Sequence, residues 1–160
     1  MKNYRADILN NMMPYFRRDK RLYLLACDMG FGVIDGLRAK FPGRIINCGI
    51  MEQAAVGIAA GMSMSGIRPV VYSMVNFLVL RALEQIRNDI VLQNLNVKLI
   101  ATGANDYFRL LGPSHCCGND DVRLMKLIKM KVFDPYQDKR KFPEVVKEWM
   151  SFEGPAYIRV

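Results

Sequence analysis

Residues 44–89 alternate twice between an apolar, β-rich run and a helical pattern, and this alternation constrains the fold more than any other feature. A short β-rich run leads into a helix of small residues, and a second β-rich run leads into a longer helix. Strands that alternate with helices form parallel sheets through right-handed crossovers. The sequence therefore predicts an α/β fold with a mostly parallel central sheet and helices on both faces.

The same patterns extend over the whole chain, which we interpret as a single domain over residues 1–160. Two residues carry local predictions about the helices. Pro14 predicts a bend or an early stop in the first helix, and the periodicity of the fourth helix places Leu80 on its inward face. Helices are predicted over residues 3–18, 30–40, 51–65, 77–92, 119–129 and 140–151. Strands are predicted over residues 22–27, 44–48, 69–74, 97–102, 131–133 and 156–160, with a polar loop over residues 103–118.

The composition is that of a soluble globular protein, because 51% of the 160 residues are hydrophobic and 24% are charged. No apolar run approaches the roughly 18 residues that are needed to span a membrane. Residues 1–7 contain no apolar signal core. These features predict a cytoplasmic protein without a membrane partner.

The chain is basic, with a formal net charge of +8 and a sequence pI of about 9.5, and such a charge invites a nucleic-acid interpretation. The basic residues are nevertheless spread among acids and at helix ends, as in residues 17–21 and 139–141. The chain shows no alternation of aromatic and basic residues of the kind that binds single strands. We interpret the charge as solvated surface, or as a face that attracts an acidic partner or phosphorylated substrates, and expect no nucleic-acid partner.

The four cysteines are not spaced as a metal site or a disulfide framework. They lie at positions 27, 48, 116 and 117, and none belongs to a Cys-x-x-Cys pair. Cys27 and Cys48 fall in predicted buried strands. We therefore expect reduced, structural thiols and no metal site.

Glu52 lies where the strand over residues 44–48 gives way to the helix over residues 51–65. Ligands of open α/β sheets bind beyond the carboxyl ends of the strands, so a carboxylate at this junction is well placed for chemistry. An acid in the first turn of a helix can also serve only to complement the helix dipole. The glycines and alanines that follow leave room for a flat ligand, which favours the functional interpretation.

The segment around Glu52 resembles a known motif. Residues 48–53 read CGIMEQ, and together with the small-residue helix they resemble the Gly-Ile-x-Glu-[Gln/His] segment of transketolases and 1-deoxyxylulose-5-phosphate synthases. The resemblance is to the pyrimidine-binding domain of these thiamine-diphosphate enzymes, and it implies the thiamine-diphosphate-binding fold of the pyrimidine type. It continues in order through GIRPVVYS at 66–73, NF at 76–77, RALEQIRND at 81–89, LNVKLIATG at 95–103, GPSH at 112–115 and GPAYIR at 154–159.

The resemblance implies that Glu52 is catalytic. In this family a carboxyl group at its position hydrogen-bonds the pyrimidine nitrogen opposite the amino group, so that the aminopyrimidine can remove a proton from the thiazolium ring of the same cofactor. Further cofactor contacts are implied for Phe77, which would stack on the pyrimidine, and for Ile50 and Met51 beside the same ring. Asp28 matches an Asp that contacts the cofactor region near the interface between subunits.

Three residues also have purely structural interpretations. Asp28 would suit the N-cap of the helix over residues 30–40, and Phe77 would suit a core position. Arg81 matches the Arg of the family's Arg-Ala-x-[Asp/Glu]-Gln segment, which implies that it binds a substrate phosphate. Its structural alternative is a surface pair with Glu84, three residues further along the same helix.

His115 is the only histidine and lies in a polar loop. Its segment resembles the family's Asp-Gly-Pro-Thr-His motif, whose His contacts the sugar substrate, so a catalytic and substrate-binding role is implied. The family Asp falls on Leu111 in this chain. The loss of that carboxylate predicts an unusual acceptor or a specialised pathway.

The chain contains no Gly-Asp-Gly…Asn segment, which in this family holds the diphosphate of the cofactor through a metal ion. The resemblance therefore implies a separate diphosphate-binding transketolase subunit that holds Mg²⁺ or Ca²⁺. The cofactor would bridge the two chains, and such pairs usually form α2β2 heterotetramers.

Together these features imply a stand-alone, C-terminal-type subunit of a split transketolase. With its partner it would transfer a two-carbon ketol or acyl unit and act on a small sugar or 2-oxo acid substrate. Two alternatives remain open. One is a β-type subunit of a 2-oxo acid dehydrogenase or decarboxylase, and the other is a non-catalytic α/β binding module that contacts nucleic acid through its basic surface.

Overall fold

The computed structural model describes residues 4–160, which form a six-stranded sheet. The strand order is β2-β1-β3-β4-β6-β5, and every neighbouring pair is parallel. The mostly parallel sheet that the sequence predicts is therefore confirmed. The strands are β1 (Leu22–Ala26), β2 (Ile45–Asn47), β3 (Arg68–Met74), β4 (Lys98–Thr102), β5 (Lys131–Phe133) and β6 (Ala156–Arg159).

Helices connect the strands and cover the sheet. Two π-helical segments, Phe77–Arg81 and Ile86–Val91, flank a short α-helix where the sequence predicts one helix over residues 77–92. Among the described residues, no helix is long and apolar enough to cross a bilayer. The α-helices are α1 (Arg5–Arg18), α2 (Asp35–Lys40), α3 (Glu52–Met64), α4 (Leu83–Gln85), α5 (Asp120–Leu127) and α6 (Phe142–Ser151), and 3-10 turns occupy Arg109–Leu111 and Pro113–His115.

The strands bury both of their faces. Successive side chains point to opposite sides of a strand, so that Leu24 of β1 joins the core cluster that contains α1, α2 and α6. Leu25 joins the other cluster, which contains α3 and the π-helical segments. Helices thus cover both faces of the sheet, as the sequence predicts.

The first helix continues through Pro14, so the early stop that this proline predicts is wrong. A proline inside a helix costs about 3 kcal/mol. Four apolar side chains of the same helix are buried, and each contributes about 1.5–3 kcal/mol. Burial therefore outweighs the lost hydrogen bond. The predicted start at residue 3 lies outside the described residues, and the buried side chains are Ile8, Leu9, Met12 and Phe16.

Two other predictions about helices are wrong for local reasons. The helix predicted over residues 30–40 begins only at Asp35. Gly30 and Gly32 adopt positive φ values of 90° and 73°, and residues 31–34 form turns and a bend instead of a helix. Leu80 is 57% exposed rather than inward. It lies in a π-helical segment, whose i→i+5 hydrogen bonds change the register of the helix face.

Candidate active site

The candidate site lies at the point where the strand order reverses. The chain places β2 on one side of β1 and β3 on the other. A crevice forms at the carboxyl ends of the strands at such a switch point. A cleft of about 120 Å³ opens there, and it is lined by Cys27, Asp28, Met29, Ile50, Glu52, Ser73, Met74 and Phe77.

Glu52 forms the acidic part of this cleft. It is the first residue of α3, where the helix dipole favours an acid, and it is only 1% exposed. The hydroxyl of Ser73, at the end of β3, donates a 2.8 Å hydrogen bond to Oε1. Arg81 forms an ion pair with Oε2. A buried carboxylate needs such partners to offset its desolvation, so the structure places the acid in a dry and fixed environment.

Ile50 and Met51 lie on the exposed rim beside Glu52. Ile50 is 71% exposed and lines the cleft. Met51 is the N-cap residue of α3, and its carbonyl oxygen accepts the amide hydrogen of Ala55. A second and more open cleft of about 430 Å³ lies along residues 50–54 and Arg81. Both side chains are therefore available to a ligand or to another chain.

The structure brings Phe77 and His115 together, although 38 positions separate them in the sequence. Their rings lie 5.2 Å apart in an edge-to-face arrangement. Asn76 fixes this arrangement, because its Nδ2 donates hydrogen bonds of 2.8 Å to the carbonyl oxygens of Ser114 and Cys116. The histidine loop is thereby tied to the start of the helical run that carries Phe77.

Arg81 contacts both Phe77 and Glu52. Its guanidinium carbon lies 4.7 Å from the centroid of the Phe77 ring, and it forms the ion pair with Glu52. Among the ion pairs of residues 4–160, none joins Arg81 to Glu84, so the structural alternative of a surface pair with Glu84 is wrong. The substrate-phosphate role of Arg81 stays a prediction.

Asp28 lies in the wall of the cleft and is clamped to the neighbouring strand. Its carboxylate accepts a 3.0 Å hydrogen bond from Nδ2 of Asn47. The side-chain oxygen of Asn47 accepts hydrogen bonds from the amides of Asp28 and Gly49. The interpretation of Asp28 as a helix N-cap is wrong, because α2 begins seven residues later, at Asp35.

Sequence reasoning missed two polar residues that hold this site together, Ser73 and Asn76. Ser73 is the penultimate residue of the predicted strand over residues 69–74, and Asn76 lies two residues beyond its end. Polar residues at that edge of the sheet are the signal that could have identified them. Cys27 also lines the cleft. Burial, followed by the charge of Glu52, raises the pKa of its thiol to about 12, so that it stays a neutral wall residue.

All four cysteines are free thiols, as the sequence predicts. Burial also raises the pKa of the Cys117 thiol to about 12. Within residues 4–160, no group of three or more His, Cys, Asp or Glu side chains could hold a metal ion.

Comparison with known proteins identifies the same family throughout the chain. The family model described as "Transketolase, pyrimidine binding domain" matches residues 2–160. A relative from Phocaeicola vulgatus, named as one subunit of an apulose-4-phosphate transketolase, is 31% identical over 157 residues, which are 98% of this chain and 50% of the relative. A 6-deoxy-6-sulfo-D-fructose transketolase subunit from Clostridium sp. is 29% identical over 98% of this chain and 48% of its own length. The chain thus spans about half the length of these curated relatives.

Solved structures show the same fold. A split gene transketolase, described as an inactive β4 tetramer, superposes with a TM-score of 0.81 at 33% identity and covers 98% of this chain and 50% of its own. The transketolase of Leishmania mexicana also superposes with a TM-score of 0.81, but at 21% identity and over 25% of its own chain. The second likeness concerns the fold alone.

Proposed function

The chain belongs to the family of transketolase pyrimidine-binding domains, and on that basis we propose that it supplies the pyrimidine-binding half of a thiamine-diphosphate-dependent transferase of the transketolase type. One observation carries the proposal. The family's carboxyl position, Glu52, is a buried acid in a cleft at the sheet's switch point. Phe77 lines the same cleft, and His115 packs against Phe77.

The residues of the cleft suit an aminopyrimidine ring. Glu52 offers a fixed carboxyl group to a ring nitrogen, and the Phe77 ring offers a flat apolar surface. Ile50, Met51 and Asp28 would contribute the remaining contacts from the rim and the wall. Thiamine diphosphate, when bound, supplies the carbon–carbon bond chemistry, while the protein supplies placement and electrostatics.

A second, diphosphate-binding subunit would complete the site. Because the described residues of this chain offer no metal-binding cluster, we propose that the partner holds the Mg²⁺ or Ca²⁺ ion and the diphosphate. The relatives from Phocaeicola vulgatus and Clostridium sp. are themselves named as subunits, which supports a heteromeric enzyme. We propose an α2β2 heterotetramer in the cytoplasm.

An apolar rim around the cleft supports an intersubunit site. Ile50, Met51 and Leu80 are all exposed although they are large and apolar. Ile50 and Met51 line the open cleft beside Glu52, and Leu80 lines a neighbouring surface cleft that shares Arg81 with it. Clusters of exposed apolar side chains mark interaction surfaces. This rim would be covered by the diphosphate-binding subunit.

The reaction would move a two-carbon ketol or acyl unit between small sugar or 2-oxo acid substrates. His115 would contact the substrate, since its ring packs against that of Phe77, which lines the cleft. Leu111 stands at the family's Asp position and is 58% exposed. The two named relatives act, by their names, on different sugars, so the proposal concerns the reaction class rather than one sugar.

A substitution of Glu52 tests this function without knowledge of the substrate. In the complex with the diphosphate-binding subunit, Glu52→Gln should slow hydrogen–deuterium exchange at the thiazolium carbon of bound thiamine diphosphate. Loss of a positioned proton-transfer group typically costs about 10²–10⁴-fold in rate. Proton NMR of the bound cofactor measures the exchange.

Glu84→Gln is the matched control, because Glu84 is an exposed glutamate on α4. In its complex, the thiazolium carbon should exchange at the wild-type rate. Wild-type exchange in Glu52→Gln would refute the proposed role. Tight binding of thiamine diphosphate by the isolated chain would contradict the proposed division between two subunits.

A further inference from the structure

Arg81 contacts two groups of the candidate site at the same time. Its Nη1 donates to Oε2 of Glu52, and its guanidinium carbon lies 4.7 Å from the centroid of the Phe77 ring. The hydroxyl of Ser73 binds the other carboxylate oxygen. The chain itself therefore already occupies both carboxylate oxygens of Glu52 and one face of the Phe77 ring.

These are the same two groups that the aminopyrimidine would need. A guanidinium and an aminopyrimidine share the relevant chemistry, because both are planar and delocalised, and both present an N–H to a carboxylate once a ring nitrogen of the pyrimidine carries a proton. A guanidinium also pairs with carboxylates and lies against aromatic rings. Arg81 thus makes, within the chain, contacts of the kind that Glu52 and Phe77 would make with the cofactor.

We propose that Arg81 is an internal stand-in for the aminopyrimidine, and that thiamine diphosphate must displace it from Glu52 in order to bind. This inference rests on the proposed function. It assigns Arg81 a role in cofactor loading that is distinct from the substrate-phosphate role implied by its motif.

The surroundings of Arg81 allow it to leave. Its side chain is 38% exposed, whereas that of Glu52 is 1% exposed, so the arginine can return to water and the acid cannot. The open cleft of about 430 Å³ is lined by Arg81 and gives the guanidinium space on its outer side. Arg81 is also the last residue of the π-helical segment Phe77–Arg81, directly before Ala82 leaves helical geometry. An arginine in this position can move without unpacking the core.

The expected effect follows from the population of the open state. If Arg81 has withdrawn in about 10% of molecules, the apparent dissociation constant of the cofactor is about tenfold larger than the intrinsic one. Removal of the guanidinium should lower the apparent dissociation constant of the cofactor by that factor. It should also change the kinetics, since a step that precedes binding limits the association rate at high ligand concentration.

The test uses the complex of this chain with its diphosphate-binding subunit. Calorimetric titration with thiamine diphosphate and Mg²⁺ should show about tenfold tighter binding for Arg81→Met than for wild type. In stopped-flow measurements, the wild-type association rate should level off as cofactor concentration increases, whereas that of Arg81→Met should increase linearly. Arg81→Lys keeps a cation for Glu52 and hence the fold, but an ammonium group cannot lie flat on the Phe77 ring. The affinity of this variant for thiamine diphosphate should therefore lie between those of wild type and Arg81→Met.

Arg87→Met is the matched control, because Arg87 is an exposed arginine of the same helical run whose guanidinium binds Asn88. It should bind the cofactor as wild type does. Unchanged or weaker cofactor binding in both Arg81 variants would overturn the inference, and if the KM of a phosphorylated substrate increased at the same time, Arg81 would be a substrate-binding residue. Failure of the wild-type complex and all variants to bind thiamine diphosphate would instead overturn the proposed function.

Discussion

Arg159 is expected to be the residue whose removal destabilises this fold most. The side chain is 1% exposed at the end of β6 and forms ion pairs with Asp121 at 3.1 Å and Asp134 at 3.2 Å. The contact to Asp121 is an ion pair rather than an aligned hydrogen bond, because Nε has no hydrogen-bond partner. The other nitrogens donate 2.8 Å hydrogen bonds to Oδ1 of Asn119 and to the carbonyl oxygen of Gly118. One side chain thus holds the end of the histidine loop to the sheet.

The substitution Arg159→Met keeps most of the volume but leaves two buried or partly buried carboxylates without their cation. Breaking a buried pair from one side costs about 3–5 kcal/mol. At about 2–4 °C per kcal/mol for a chain of this size, a loss of about 4 kcal/mol lowers the melting temperature by about 8–16 °C. Urea denaturation and thermal unfolding followed by circular dichroism measure both quantities.

The stability lost in Arg159→Met should depend on pH in a defined direction. Burial is the main reason why the pKa of Asp121 lies above its usual value, and Arg159 opposes that shift. Without Arg159 the pKa of Asp121 rises further. A group whose folded pKa is raised destabilises the folded state as the pH increases through that pKa. The difference between wild type and Arg159→Met should therefore be largest at neutral pH and decrease as acid protonates Asp121.

The chain contains a matched control for this experiment. Arg140 also pairs with two carboxylates, Asp138 and Glu148, but at the surface. Exposed pairs contribute little to stability, so Arg140→Met should unfold close to wild type. If Arg159→Met were no less stable than Arg140→Met, the argument that burial makes the Arg159 network important would be refuted.

Three further predictions concern the site and its supports. Asn76→Ala should shift and sharpen the proton NMR signals of His115, the only histidine, because the loop loses both hydrogen bonds; unchanged signals would exclude a positioning role. Gly103→Ala should lower the urea midpoint, since Gly103 has a φ of +94° and a Cβ would lie 2.5 Å from the ring of Phe108; a wild-type midpoint would contradict this. Burial lowers the pKa of Lys98 to about 7, so the free energy of unfolding should increase from pH 7 to 10, and Lys98→Met should remove that slope in urea denaturation series.

Most of the fold follows from the sequence because its physical determinants are local. The strands are nearly continuous apolar runs, as expected when both faces of a parallel sheet are covered. The position of Glu52 follows as well, since it stands where such a run ends and a helix begins. The carboxyl ends of parallel strands meet at one edge, which is why residues from distant segments such as Asp28 and Ser73 line one cleft.

One physical cause explains two errors in the helical run that follows β3. An α-helical periodicity would place Leu80 inward and Arg81 next to Glu84. The π-helical segment Phe77–Arg81 breaks that periodicity. It exposes Leu80 and brings Arg81 to Glu52.

The partners of Arg159 could not be predicted from the sequence for a different reason. Asp121 and Asp134 are distant from Arg159 in the sequence, and only the packed sheet brings them to one point.

The π-helical segment also links the two ends of the proposed reaction site. It begins with Phe77, which packs against His115, and it ends with Arg81, which pairs with Glu52. Asn76, directly before the segment, holds the backbone on both sides of His115. The guanidinium carbon of Arg81 lies 4.7 Å from the centroid of the Phe77 ring, and π-helical turns are frequent at functional sites. If the cofactor displaces Arg81, the Phe77 ring loses the guanidinium as a neighbour, and the surroundings of His115 change in the same step. Arg81→Met should therefore alter the His115 NMR signals even in the isolated chain.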